Sequence, residues 1–321
     1  MTPASKAKTD RATQANTGFL WVLLATVLLF RLLAMLLYPV TDTTEARYTE
    51  ISRLMLGSGD WIMPLFQPGV PFWGKPPLFA WLSAGSFSLL GLSEFAARLP
   101  HFLVSLASLW LVMQLARARM DTRRSLLTLV ILASMPLFFA SAGTVMTESG
   151  LLFATTLSMT GFWLFHDRDN LWWGLAFFAG LGLGMLAKGP VALVMTGLPL
   201  LAWLGLRGQW YTLAALPWLR GTVLAAIICV PWYIAAELRS PGFLEYFIVG
   251  EHFLRFIEPG WTGDLYGKAH REIPGMIWPA WFKATAAWGL LLAVALVHFI
   301  TARLRGRSGT ASRPDDWFPY L

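Results

Sequence analysis

The stretch FLWVLLATVLLFRLLAMLLY at residues 19–38 decides how the rest of the chain is read. Its 20 residues match the length a helix needs to cross about 30 Å of hydrocarbon. Apart from Thr26 and Arg31 the run is apolar throughout rather than alternating, which selects a helix over a strand of a closed barrel. The first 17 residues of the chain are polar and carry Lys6, Lys8 and Arg11, and no small-residue cleavage site follows the run. It reads as a retained first helix, not a removed signal peptide.

The pattern recurs. Of 321 residues, 56% are hydrophobic and only 13% charged, and the mean hydropathy is +0.56. Soluble domains carry about 25% charged residues, so this chain cannot cover a water-facing surface. Spans are expected near 18–39, 98–116, 125–144, 149–166, 171–187, 190–206, 220–238 and 284–302, about eight in all. The fold class expected is an all-α integral membrane protein. The net charge of +7 would suggest nucleic acid in a soluble protein. In a chain this apolar it marks cytoplasmic loops, so the partners expected are membrane lipids and no nucleic acid. The lone Cys229 lies in an apolar run and has no intrachain disulfide partner.

Basic residues set the orientation. Arg117, Arg119, Arg123 and Arg124 fill the turn between the second and third spans. Arg168 and Arg207 sit in later turns, and Arg303, Arg305 and Arg307 follow the last span. All of these fall on the cytoplasmic side together with Lys6, Lys8 and Arg11. The turn near Glu148 has no basic residue, and the one near Pro190 has only Lys188.

Two long loops then lie outside, at 40–97 and 239–283. The first contains Lys75-Pro76-Pro77 before the apolar stretch Leu78 to Leu92, which predicts a short helix lying in the interface. The second carries Glu251, His252, Arg255, His270 and Arg271 among aromatic residues that read as membrane-boundary anchors rather than sugar-stacking platforms.

Topology therefore gathers the chemically useful groups on the outer face: Asp42, Glu45, Arg47, Lys75, Glu148, Lys188, His252, Arg255 and His270. Carboxylates near hydrocarbon are expensive and are kept for function or paired. Glu148 occupies a turn too short to need a solvating charge, so it is either functional or ion-paired. Lys and Arg at this surface suit the phosphate of a membrane lipid, or simply anchor headgroups. Together they suggest transfer between a lipid phosphate and a hydroxyl acceptor.

Several stretches resemble one family. Asp42-Thr-Thr-Glu45-Ala-Arg47-Tyr48, Ser58-Gly59-Asp60-Trp61, Phe72-Trp73-Gly74-Lys75-Pro76-Pro77-Leu78 and Ser93-Glu94-Phe95-Ala96-Ala97-Arg98-Leu99-Pro100 are similar to the first outer loop of lipid A aminoarabinose transferases. Those belong with the protein O-mannosyltransferases among the polyprenyl-phosphate-dependent GT-C glycosyltransferases. Leu186-Ala-Lys188-Gly189-Pro190 resembles a later turn of that family, and Glu251-His252-Phe253-Leu254-Arg255-Phe256 its second large loop. The resemblance covers about 18–303. The run Gly180-Leu-Gly182-Leu-Gly184 follows no strand, so it reads as close helix packing rather than a dinucleotide loop.

The resemblance implies a GT-C-type multi-helix transmembrane bundle with amphipathic juxtamembrane helices in its first outer loop. It implies a glycosyltransferase using an undecaprenyl-phosphate-linked sugar, with a lipid A-type, other glycan or protein acceptor, at the periplasmic face of the bacterial inner membrane. Asp42, Glu45 and Glu148 become the candidate catalytic acids. Arg47, Lys75, Lys188 and Arg255 become candidates for the donor phosphate. Gly74 stands where many relatives carry a Glu that, with a histidine, helps bind a divalent metal ion. His252 and His270 remain as the candidate metal ligands. Alternative readings are a protein O-mannosyltransferase-like enzyme and a transporter or flippase for a polyprenyl-linked sugar, although no inverted repeat is visible. The expected organisation is a cytoplasmic tail at 1–17, a catalytic transmembrane module at 18–303 and a basic cytoplasmic tail at 304–321. The family's larger helix count predicts a further span beyond that tail.

Overall fold

The computed structural model describes residues 3–258, 263, 265–266 and 274–304, with side chains for all of these except 3–16, 256 and 302–304. Helix α1 (Pro3–Leu37) contains the first apolar run, and α2 (Thr43–Ser58) follows it. Asp42 caps α2 by accepting the Thr44 and Glu45 N–H groups at 2.9 and 3.0 Å, and Gly59 ends it in the left-handed region. A hairpin of β1 (Leu65–Gln67) and β2 (Val70–Pro71) comes next, turned by Pro68-Gly69 with Gly69 at φ 78°. The expected short helix is α3 (Leu78–Leu90), starting directly after Lys75-Pro76-Pro77.

The bundle continues with α4 (Glu94–Arg117), α5 (Thr122–Ser134), α6 (Pro136–Ser141), α7 (Thr147–Arg168), α8 (Leu171–Lys188), α9 (Val191–Arg207), α10 (Trp210–Ala214) and α11 (Trp218–Arg239). A π-helix, Glu245–Leu254, leads into the single turn α12 (Arg255–Ile257). The last described elements are α13 (Ile277–Thr285) and α14 (Ala287–Leu304).

All eight stretches expected to span are helical, but eight crossings do not follow from these helices. Among the described residues, four are long and apolar enough: Thr17–Leu37, Glu94–Arg117, Leu171–Lys188 and Trp218–Arg239. A fifth arises if Ile277–Thr285 and Ala287–Thr301, bent by 111°, form one span. The stretch expected as one span at 125–144 breaks at Met135, whose extended backbone is what the residue before Pro136 prefers. The stretch expected at 284–302 breaks at Ala286, which has φ 47°. The short helix expected to lie in the interface buries Phe79, Ala80, Ser83, Ala84 and Phe87 against α2 and α4.

The glycine run in α8 packs on three different helices. A methyl at Gly180 would sit 2.5 Å from the Ala154 carbonyl oxygen of α7, and one at Gly182 would sit 2.9 Å from the Ala225 carbonyl oxygen of α11. One at Gly184 would sit 2.6 Å from the Ala192 side chain of α9. Without a hydrophobic drive between helices in lipid, such close backbone approach is what holds them together. Two contacts show that α4 and α7 run parallel. His101 near the start of α4 bonds Ser149 near the start of α7 at 2.8 Å, and Arg119 just past the end of α4 pairs with Asp167 near the end of α7. The basic turn is thus at the opposite end from Glu148.

Gly180→Val should therefore lower the melting temperature in detergent, by an amount corresponding to about 1–3 kcal/mol of overpacking. Gly197→Ala, in α9 with nothing within 4 Å of the new methyl, should hold or raise it, since Ala gains about 1 kcal/mol over Gly in a helix. Equal melting shifts for the two variants would refute the packing role of the run.

Candidate functional site

The site is built at the end of the bundle where α2, α4 and α7 begin and α8 ends. Glu45, one turn into α2, is buried. Arg98 of α4 grips it with two parallel bonds, Nε to Oε1 and Nη2 to Oε2, each 2.8 Å. The Val145 N–H adds a longer bond to Oε1 at 3.3 Å. Arg98 also donates to the Tyr38 carbonyl oxygen at 2.6 Å, just past the end of α1. Glu45 therefore faces the protein interior, while Asp42, three residues earlier, stays exposed at the helix mouth.

Glu148 sits in the first turn of α7 and meets Lys188, the last residue of α8, at 2.8 Å. Thr147 donates a 3.3 Å bond to its second oxygen. Tyr48 of α2 lies within reach of the charges of both Glu148 and Glu251. Burial, and then the charge of Glu148, push the Tyr48 hydroxyl up to about 12, with Arg47 opposing and Glu251 adding to the rise. Tyr48 thus stays protonated at neutral pH and can only donate or accept a hydrogen bond.

A third charged group lies beside these. The Glu251 carboxylate is buried and pairs with Arg255 at 2.9 Å and Lys75 at 3.7 Å, while the Tyr246 hydroxyl donates to it at 3.1 Å. Lys75 Nζ also donates to the Gly74 carbonyl oxygen at 2.6 Å. Lys75 comes from the first long loop and Arg255 from the second. Tyr266 ties the same loops together: its hydroxyl accepts from the Trp73 N–H at 2.9 Å and donates to the Pro71 carbonyl oxygen at 3.0 Å. Arg47 donates to the Tyr266 carbonyl oxygen at 3.2 Å and lies over the Phe66 ring of the hairpin.

The sequence-expected residues thus form two ion-paired sets near one end, with Arg47 turned toward the hairpin and Glu45 turned inward to Arg98. Glu251 was absent from the expected set, although its i,i+4 spacing to Arg255 was readable. Arg98, Tyr48 and Tyr246 were not expected either. His270 lies outside the described residues. His252 donates from Nδ1 to the Phe247 carbonyl oxygen at 2.7 Å and packs edge-on against the Phe247 ring.

Among the described residues no three His, Cys, Asp or Glu side chains come together. At Gly74, where the resemblance places a carboxylate, the side-chain space is closed: a methyl would lie 2.9 Å from the Phe72 ring and 3.1 Å from the Tyr266 ring.

A family model described as dolichyl-phosphate-mannose-protein mannosyltransferase matches residues 15–247. The undecaprenyl phosphate-alpha-4-amino-4-deoxy-L-arabinose arabinosyl transferase 1 of Pseudomonas fluorescens is 29% identical, covering 86% of this chain and 48% of its own length. The corresponding transferase of Edwardsiella ictaluri is 33% identical, covering 67% and 39%. Among solved structures, ArnT from Cupriavidus metallidurans bound to undecaprenyl phosphate superposes with a TM-score of 0.70 at 27% identity, over 74% of this chain and 45% of that one. Its apo form gives a TM-score of 0.73 at 24% identity, over 85% and 49%. The chain spans about half the length of the curated relatives it matches.

Breaking the Glu45–Arg98 pair from one side strands a buried charge. Arg98→Met should cost about 3–5 kcal/mol and lower the melting temperature in detergent sharply, whereas Glu45→Leu/Arg98→Met together should recover much of the loss. A single Arg98→Met variant that melts like the parent would remove the pair from the fold.

Proposed function

The chain belongs to the dolichyl-phosphate-mannose-protein mannosyltransferase family, and from that premise we propose that it is a glycosyltransferase module using an undecaprenyl-phosphate-linked sugar. The observation that carries this reading is the convergence of Asp42, the Glu148–Lys188 pair and the Lys75–Glu251–Arg255 cluster near one end of an apolar bundle. A lipid-borne phosphate held at the membrane boundary would reach cations placed there. The curated relatives, which are 4-amino-4-deoxy-L-arabinose transferases, favour that sugar as the donor, and with it a lipid A-type acceptor. The family model's description favours the second reading, mannosyl transfer to protein. A flippase is disfavoured because its polar groups belong near the midplane, at a repeat interface.

The reaction is a displacement at the anomeric carbon. Asp42 takes the proton from the acceptor hydroxyl as general base. The acceptor oxygen forms its bond to the anomeric carbon as the bond to the phosphate oxygen breaks, and that oxygen leaves with the electron pair. Lys75 and Arg255 stabilise the charge that builds on the departing polyprenyl phosphate. Lys188 holds Glu148 in place to orient the acceptor or sugar. Arg47 lies at the mouth, where it can meet the donor. Glu45, held by Arg98, positions the helix that carries Asp42. The site faces the periplasm of a bacterial inner membrane in this proposal, and residues 18–303 form the catalytic module.

Asp42→Asn and Glu148→Gln should each lower transfer in membranes about 10²–10⁴-fold while melting near the parent temperature. Near-normal transfer in both variants would rule out the carboxylate mechanism.

Orientation is tested by impermeant thiol labelling of intact cells. In a Cys229→Ala background, Ser58→Cys should label and Arg123→Cys should not, because the basic turn belongs inside. The reverse pattern would put the whole site on the wrong side of the membrane.

A further inference from the structure

Glu251 has no role in the displacement step, yet it is the buried carboxylate on which cations from both long loops meet. Two features of its setting are unusual. It lies in a ten-residue π-helix, a form seen mostly as single turns and concentrated at functional sites. In an α-helix, residues five apart point about 140° away from each other. The wider turn instead places Tyr246 and Glu251, five apart, on one face, where the Tyr246 hydroxyl reaches the carboxylate at 3.1 Å. The same face receives Lys75 from the first loop, and Arg255 follows one turn later.

Electrostatics supplies the reason for a carboxylate there. Lys75 and Arg255 repel each other, and both are mostly withdrawn from water. Without a negative charge between them they would separate, and each would find its own solvent or headgroup. With Glu251 between them they are fixed before any lipid phosphate arrives, so less ordering entropy is lost on binding. Removing the central carboxylate also differs from removing either cation: it leaves two positive charges in place but unordered.

We propose that Glu251 is a positioning residue that sets the affinity of the site for the polyprenyl phosphate by converging Lys75 and Arg255 on one buried point. The inference rests on the assignment of those two cations to the donor phosphate. It does not depend on which sugar is carried or which hydroxyl accepts it. Glu251 acts through the cations and does not contact the reacting atoms.

The test measures binding of undecaprenyl phosphate to the detergent-solubilised protein, and the KM values for donor and acceptor. Glu251→Gln keeps the shape and an acceptor oxygen for Tyr246, so the melting temperature should stay within a few degrees of the parent. Undecaprenyl phosphate affinity should fall about tenfold and the donor KM should rise, while the acceptor KM stays unchanged. Glu251→Asp keeps the charge and should restore part of the affinity, which a merely structural side chain would not show. Lys75→Met and Arg255→Met provide the control arms. If neither cation variant weakens phosphate binding, the assignment of the site itself fails. If both do, and Glu251→Gln binds phosphate as the parent does, only the positioning role fails. Tighter phosphate binding by Glu251→Gln would also overturn it, showing that the carboxylate competes with the ligand rather than preparing its site. Should Glu251→Gln melt well below the parent, the comparison moves to Glu251→Asp against the two cation variants: parent-like folding with affinity between the parent and Lys75→Met or Arg255→Met supports the proposal, and affinity no better than those variants refutes it.

Discussion

The buried pair of Glu45 and Arg98 is the constraint on which the outer end of this bundle depends. Arg98 is a charge in a helix long and apolar enough to span, and it must be compensated. It is compensated on every side: by both oxygens of Glu45 and by the Tyr38 carbonyl oxygen that follows α1. Glu45 in turn reaches the Val145 N–H ahead of α7. One ion pair thus fixes the relative positions of α1, α2, α4 and the start of α7. Those are the elements that carry Asp42 and Glu148. Deleting either partner would leave an uncompensated charge among apolar side chains, so the geometry is held more stiffly than its two hydrogen bonds alone would suggest.

Helix positions were readable because their signal is long. A run of twenty apolar residues has few alternatives, and Lys75-Pro76-Pro77 announces a helix start that the structure places within one residue. The Gly180, Gly182 and Gly184 reading also carried through, since small residues two apart on a lipid-facing helix serve different neighbours. Breaks were harder to see. Met135 before Pro136 was a readable stop signal, outweighed by the apolar run on both sides. The hairpin strands span three and two residues, too short for any alternation to register. The π-helix has no sequence period of its own, so nothing in the sequence places Tyr246 and Glu251 on one face.

The site was legible as a set of residue types and not as a set of partners. Asp42 and Glu45 looked equivalent in sequence. Their separation is a matter of helix geometry. Asp42 is the N-cap, with extended backbone, and its carboxylate accepts the N–H groups of the first turn. Glu45 is the third helical residue, where a carboxylate would ordinarily reach back to the cap in a capping box. Here Arg98 takes that carboxylate, and a contact 53 residues away in sequence overrides the local one. No pattern within α2 could have announced it.

The charges of the site divide by how they are compensated, and this division assigns their work. Glu45 is buried and fully engaged, so it holds structure. Glu148 is paired with Lys188 in a partly exposed setting, where one salt bridge is worth only about 0–1 kcal/mol. Such a pair sets where Glu148 sits more than it holds the fold together. Glu251 is buried like Glu45, yet its two cations come from loops rather than from spanning helices. Its pairing therefore joins the two long loops, as the Glu45–Arg98 pair joins the helices. In the proposed function the bundle-held pair therefore sets the helices, and the loop-held cations, already converged on Glu251, are the ones that meet the lipid-borne phosphate.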